Sequence, residues 1–400
     1  MSDVLSREET ALLALARAAL TGAAAEGVSA DTDWEGLCAL AERHAVLPLL
    51  CPVLQGLAPE RLWKPAAEKC TAQFYRLAVM SRYYTALLAG AGVKTVVLKG
   101  AGAARYYPVP EHRKSGDIDL LLADPGQMEQ ACRVLESDGA AALSEQHANH
   151  HRAFRSPEGI ELEVHSTLTE DFDDGRVNAL CASLRDELGR SAEVREVLPG
   201  LSLPVPDAAG QAVSLLLHML QHFLRAGFGL KLLCDWAAFW NALPPGTDMA
   251  RYERFVDEAG VRGFADMAGG VCVRYLGLRP EQLTLTRSFD ADTVCAFLRE
   301  VFDAEEFGRS SSRRMVMVRR GLAGYVREFH HQMRLNYPRA GRCPLLWPAL
   351  WCATLWRFLR NNRTVRGTTT GAVLKEARRR SRLMEPLALF QNQKDTSESR

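Results

Sequence analysis

Two aspartates in the run Asp117-Ile118-Asp119-Leu120 stand two residues apart. On a β-strand their carboxylates share one face, while Ile118 and Leu120 take the other. Adjacent carboxylates repel one another, and such a pair survives when one proton is shared or a cation lies between them. Oxygen donors at this spacing suit Mg²⁺, which takes one or two carboxylates and completes its shell with water and phosphate oxygens. A bare D-x-D is more often a solvated strand face, so its surroundings decide its weight. Upstream, the β-branched apolar run Thr95–Leu98 is followed by Lys99 and the small-residue turn Gly100-Ala101-Gly102, which lets backbone approach a ligand. A short helical stretch to Tyr107 is stopped by Pro108 and Pro110. Arg113-Lys114-Ser115-Gly116 then leads into the acidic strand.

A second polar strand lies downstream. Ser156-Pro157-Glu158-Gly159 separates two alternating runs and reads as a hairpin turn. In the second run Ile160, Leu162 and Val164 take one side, and Glu161, Glu163 and His165 the other. A two-residue loop at Pro157-Glu158 sets Arg152 opposite Glu163, His150 opposite His165 and Phe154 opposite Glu161. Plain solvent exposure of one side of an antiparallel pair explains that polar face as readily.

Lys99-Gly100, followed by Arg113-x-Ser115-Gly116-Asp117-x-Asp119-Leu120, resembles the nucleotidyltransferase superfamily that includes DNA polymerase beta. The pattern is most similar to a poorly characterised bacterial nucleotidyltransferase family, and abortive-infection toxin nucleotidyltransferases share it in part. Glu42–Leu50 (ERHAVLPLL), Glu163-Val164-His165 and Leu230–Trp240 with Asp235 resemble further segments of that family. The resemblance implies an α+β fold: a polymerase beta-like core, with a small mixed sheet and flanking helices, embedded between helical regions. It implies Mg²⁺ or Mn²⁺ held by Asp117, Asp119 and a third carboxylate. That carboxylate is assigned to Glu163, with Glu161 as runner-up on the same face. Backbone N–H groups of Gly100, Ala101 and Gly102 are expected around the β and γ phosphates. Lys99 and Arg113 are expected to offset triphosphate charge, with Ser115 and Gly116 beside the nucleotide and His165 or Arg152 positioning the acceptor. The wider superfamily usually carries Gly-Ser where this chain has Gly100-Ala101, which leaves Lys99 or Ser115 to replace the hydroxyl contact.

The remaining sequence bounds these readings. A chain of 400 residues with 47% apolar and 24% charged residues has material for two or three globular domains. A net charge of +1 excludes a molecule that binds nucleic acid by its overall charge. The ten cysteines form no C-x-x-C pair, which favours reduced thiols over a disulfide framework or a zinc site. The first residues lack a basic n-region and read as a capped amphipathic helix (Ser6, Glu9), so a cytoplasmic protein is expected. The expected organisation is a helical region over 1–90, an α/β nucleotidyltransferase core over 91–206, and a helical region over 207–400 with a basic, partly disordered tail.

Four further features complete the reading. His44 reads as a packing or capping residue. Asp124-Pro125 starts a helix that ends at Gly139. His218 and His222 share a helix face, but without an adjacent Glu or an evident third ligand they suit packing or phosphate contact rather than zinc. The apolar stretch Cys343–Trp356 is broken by Pro344 and Pro348 and is too short to span a membrane. With Trp347, Trp351 and Trp356 inside and Arg342, Arg357, Arg360, Arg363 and Arg366 around it, it suits a core helix or an interfacial helix on anionic lipid.

The expected activity is transfer of a nucleoside monophosphate from a nucleoside triphosphate such as ATP to a hydroxyl on a protein, small molecule or nucleic acid. The Arg-rich stretch from Phe307 to Arg334 would meet nucleic-acid phosphates. A nucleotide-binding protein without transfer, or a membrane-surface adaptor, is the alternative.

Overall fold

The computed structural model describes residues 5–29, 31–143, 151–225, 227–306, 322–337, 340–364, 380 and 382–390. The chain begins with α1 (Arg7–Thr21), closed by a reciprocal cap in which Ser6 Oγ accepts the Glu9 N–H and the Glu9 carboxylate accepts the Ser6 N–H. Next come α2 (Trp34–Arg43), α3 (Leu47–Leu54) and the long α4 (Lys64–Gly90). The α/β part runs β1 (Thr95–Val97), α5 (Ala101–Ala104), β2 (Asp117–Leu122), α6 (Met128–Ser137), β3 (Ala141–Ala142), β4 (His151–Arg155) and β5 (Glu161–His165).

These strands form one mixed sheet in the order β1-β2-β5-β4-β3. β2 and β5 run parallel, and the other pairs are antiparallel. Strand alternation sorts its two faces. Ile118, Leu120, Leu122, Phe154, Leu162 and Val164 pack with Phe74, Leu77, Tyr84 and Leu88 of α4 and with Ala131 and Leu135 of α6. Asp117, Asp119 and Glu163 therefore point to the opposite face. The fold is α+β, with a small mixed sheet flanked by helices.

The hairpin corrects the expected register. β4 and β5 pair His151 with His165, Arg152 with Val164, Ala153 with Glu163 and Phe154 with Leu162. The loop is Pro157-Glu158-Gly159, closed by a 2.8 Å bond from Ser156 N–H to Ile160 O, with Gly159 at φ +80°. A three-residue loop whose last residue is left-handed adds one residue to the two-residue turn that was expected. One residue of slip moves every side chain to the other face. Arg152 therefore leaves the acidic face, stands on the α6 side near Cys132, and is exposed. His150 lies outside the described residues.

After β5 come α7 (Gly175–Ser191) and the separate hairpin β6 (Glu193–Leu198) and β7 (Leu201–Val205). The helices α8 (Ala208–Arg225), α9 (Leu230–Ala242), α10 (Ala250–Glu258), α11 (Arg262–Tyr275) and α12 (Ala291–Ala304) follow. One apolar cluster joins α1, α2 and α3 to α8, α9, α11 and α12. His44 is buried and its Nδ1 accepts the Leu230 N–H at 3.3 Å, so it caps the start of α9. Burial pulls its imidazole pKa down to about 4, so the ring stays a neutral acceptor.

The chain continues with α13 (Leu322–Asn336), α14 (Trp347–Thr364) and the short α15 (Met384–Leu387). Arg380, expected on a basic solvated tail, is fully buried. It donates to Glu300 Oε2 at 2.8 Å and to the carbonyls of Phe223 and Arg225 at the C-terminal end of α8. All ten cysteines are free thiols. Among the described residues no helix is long and apolar enough to cross a membrane.

Candidate active site

The acidic face is assembled by the parallel pairing of β2 and β5. Asp117 lies opposite Glu161, Asp119 opposite Glu163, and Leu121 opposite His165. One carboxylate oxygen from each of Asp117, Asp119 and Glu163 lies within 4.8 Å of the others. Glu161 has the same orientation but turns toward Arg155, 4.0 Å away, so Glu163 is the third member of the cluster.

Asp119 is buried, and its Oδ1 accepts from Lys99 Nζ at 2.9 Å and lies 3.0 Å from His165 Nε2. His165 Nε2 also lies 3.3 Å from Glu163 Oε2. Burial opposes charge on Asp119, but Lys99 and His165 outweigh it and hold its carboxyl below the usual range. Glu163 follows the same logic: burial works against it, the His165 hydrogen bond prevails, and its pKa falls. Asp117 goes the other way. The charge on Asp119, then burial, push its pKa up to about 6. Burial lowers the basicity of His165 and of Lys99, yet their carboxylate partners leave both raised.

Asp119 Oδ2 is the telling atom. It is buried and has no hydrogen-bond partner among the described residues. A buried acceptor left unmade costs about 1–3 kcal/mol, and more when charged. A hard cation against Asp119 Oδ2, Asp117 and Glu163 removes that cost, and all-oxygen donors are what Mg²⁺ or Mn²⁺ takes. The residues fit the ion that the acidic pattern implies.

The turn before the site has two different glycine requirements. Gly100 sits at φ +58°, a conformation that side chains disfavour. Gly102 is pressed against the structure: a Cβ there would meet Val97 O at 3.1 Å and Val205 Cγ1 at 3.2 Å. Its N–H is already bonded to Lys99 O at 3.0 Å, so its first task is to pack the turn on β1 and β7. Ala101 is buried in the apolar cluster behind the sheet. Ser115 is half-buried beside exposed Gly116, and its Oγ accepts from Arg113 Nη1 at 2.7 Å.

Arg113, expected beside the triphosphate, packs against a buried acid. It is 3% exposed, and its Nε and Nη2 donate to Asp235 at 2.7 and 2.9 Å, while the Tyr107 hydroxyl adds a further donor to that carboxylate. A guanidinium with both of these edges committed to a buried carboxylate fixes the loop before β2 to α9.

Three residues outside the assigned site also converge on it. His151 enters through the shifted register: its Nε2 is 3.8 Å from Glu163 Oε1, and His151, Glu163 and His165 bring donor atoms within 4.8 Å of one another. The left-handed Gly159 was the sequence signal for that register. Lys231, early in α9, is 3.7 Å from Asp235 Oδ2 and feels the charges of both Arg113 and Asp117. Burial, then Arg113, lowers its pKa. His218, its ring 4.6 Å from that of His222 on α8, lies within the electrostatic reach of Lys99 and Asp119. Burial, then Lys99, keeps both imidazoles neutral, His222 with a pKa of about 4.

A search among curated proteins gives no match. Residues 30–277, well over half of the chain and including every residue of the acidic cluster, match the family described as uncharacterised nucleotidyltransferase. The sheet, the register of its acids and that match agree: the chain belongs to this nucleotidyltransferase family.

Proposed function

We propose that the protein moves a nucleoside monophosphate from a nucleoside triphosphate to a hydroxyl-bearing acceptor, with Mg²⁺ or Mn²⁺ held by Asp117, Asp119 and Glu163. The observation that carries this reading is Asp119 Oδ2, a buried carboxylate oxygen without a donor among the described residues, in a cluster of three converging acids. The bound divalent ion supplies Lewis acidity at the α-phosphate and acidifies the acceptor hydroxyl. Lys99 donates to Asp119 at 2.9 Å and would turn to the triphosphate where the ion neutralises that carboxylate. Lys231, close to Asp117, takes the charge-offsetting role that Arg113 does not fill. Ser115, two residues before Asp117, offers a hydroxyl, and the backbone at Gly100 and Ala101 approaches the phosphates. The acceptor oxygen bonds to the α-phosphorus as the bond to the bridging oxygen breaks. Pyrophosphate leaves with that electron pair and the acceptor proton passes to water.

The test is incubation of the protein with each of the four labelled triphosphates, Mg²⁺ or Mn²⁺, and cell lysate. Wild type is expected to release pyrophosphate and label an acceptor. Asp117→Asn and Asp119→Asn are each expected to lose at least about 100-fold, since even outer-shell partners of a metal are worth 10–100-fold. Equal transfer by both variants rejects the reading. Triphosphate binding without pyrophosphate release points instead to a binding protein, the outcome that the buried Ala101 in place of a serine favours.

A second reading concerns α14. Leu345 is 91% and Trp356 62% exposed, with Trp351, Leu355 and Leu359 also at the surface, exposed Arg342 and Arg357 alongside, and Arg360 over the Trp356 ring at 5.2 Å. Exposed aromatic and aliphatic side chains mixed with arginine suit an anionic lipid surface. Sedimentation with phosphatidylserine vesicles, lost in Trp356→Ala with Leu345→Ala, tests it.

A further inference from the structure

We propose that His151, Glu163 and His165 form a second metal position, chemically unlike the first, that takes a first-row transition ion rather than Mg²⁺. It rests on the nucleotidyl-transfer site only through the shared Glu163. β4 and β5 place His151 directly opposite His165, with their rings 5.2 Å apart. Ala153, opposite Glu163, leaves room for that carboxylate between them. The two oxygens of Glu163 are divided between the imidazoles: Oε1 is 3.8 Å from His151 Nε2 and Oε2 is 3.3 Å from His165 Nε2. Metal–ligand bonds of about 2.0–2.2 Å in a tetrahedron hold donor atoms roughly 3.3 Å apart. The His165–Glu163 separation matches that spacing, the His151–Glu163 separation is about half an ångström wider, and all three donors lie within 4.8 Å of one another.

The donor chemistry separates the two positions. Asp117, Asp119 and Glu163 offer oxygen only, which suits Mg²⁺ and Mn²⁺. Two imidazoles with one carboxylate are the donor set of many catalytic zinc sites, and imidazole favours zinc, cobalt, nickel and iron over magnesium. Glu163 belongs to both sets, and a carboxylate with two oxygens bridges neighbouring ions, which in two-metal sites stand about 3.5–4 Å apart. Three protein donors leave a further ligand position for water or substrate. The position of each metal would then differ in affinity and in chemistry, with the transition ion nearest the imidazoles.

The experiment uses the full chain stripped of metal and titrated with Co²⁺ in the presence of millimolar Mg²⁺, followed by visible ligand-field absorption. One equivalent of Co²⁺ that saturating Mg²⁺ does not displace is the expected result. His151→Ala is expected to weaken Co²⁺ binding by at least about 10-fold, while circular dichroism and Mg²⁺-dependent binding of a fluorescent triphosphate stay at wild-type levels. His151→Asp, which restores a donor but exchanges nitrogen for oxygen, is expected to recover binding with a preference moved toward Mn²⁺. Asp117→Asn is expected to lose the Mg²⁺-dependent triphosphate binding and keep the Co²⁺ band. That pattern separates the two readings: loss of the Asp117 effect alone overturns the transfer site. Wild-type Co²⁺ binding by His151→Ala, or complete displacement of Co²⁺ by Mg²⁺, overturns the second position.

Discussion

Asp119 and Asp235 are two buried carboxylates in adjoining parts of the molecule, each with basic partners, and they differ in what is left over. Asp235 has Arg113 on both oxygens and the Tyr107 hydroxyl on one of them. Asp119 has Lys99 and His165 on a single oxygen, none on the other among the described residues, and the like charge of Asp117 beside it. A buried ion pair with its hydrogen bonds made is a fastening. A buried acid with an oxygen to spare, next to a second acid, is a place for a ligand. The Arg113–Asp235 pair ties the loop that precedes β2 to α9, which also carries Lys231; the fastened site thereby positions the unsatisfied one.

The comparison is most sharply tested by stability. Asp235→Ala leaves the Arg113 guanidinium buried without its partner, and removal of one member of such a pair costs about 3–5 kcal/mol. Asp119→Ala is expected to cost clearly less in urea denaturation, because it also removes the repulsion with Asp117. A reversed order of the two midpoints breaks the contrast.

A smaller effect is expected in pH dependence without divalent ions. Asp117 keeps its proton up to about 6 when folded, against about 4 when unfolded. Over that window the folded state holds more protons, so stability falls as pH rises, by on the order of 3 kcal/mol. Asp117→Asn is expected to flatten this fall in unfolding free energies measured from pH 4 to 7. Asp235 has the opposite sign. Burial works against its charge, but Arg113 prevails and lowers its folded pKa, so its contribution is present above about 4 and lost in acid.

The smallest effect belongs to Arg152→Ala. On the α6 side and exposed, it is expected to change stability by less than about 0.5 kcal/mol and to leave triphosphate turnover unchanged. A loss of turnover in a pyrophosphate-release assay would return Arg152 to the acidic face and undo the register.

Much of this was legible in the chain. Alternation alone put Asp117 with Asp119 and Glu163 with His165, because strand side chains change sides at every residue. The cap at Ser6 and Glu9, the helix after Asp124-Pro125, and the packing or capping role of His44 were equally local. Partners distant in sequence were not legible. Nothing local to Arg113 points to Asp235, which lies 122 residues away on α9. Arg380 looked like part of a solvated tail because Glu300 and the end of α8 lie far off in sequence. The face of Arg152 turns on one loop residue, since left-handed Gly159 makes the loop three residues long.

By itself, then, the amino-acid order set which residues share a strand face and which chemistry they are able to do, since backbone sterics act over one to four positions. Tertiary structure alone decided which acids meet, which cation is consumed by a buried partner, and which carboxylate oxygen is left without a donor. Those outcomes depend on segments more than forty residues apart being desolvated together, as β2 and β5 are, and a buried charge answers to whatever the fold brings within a few ångströms of it.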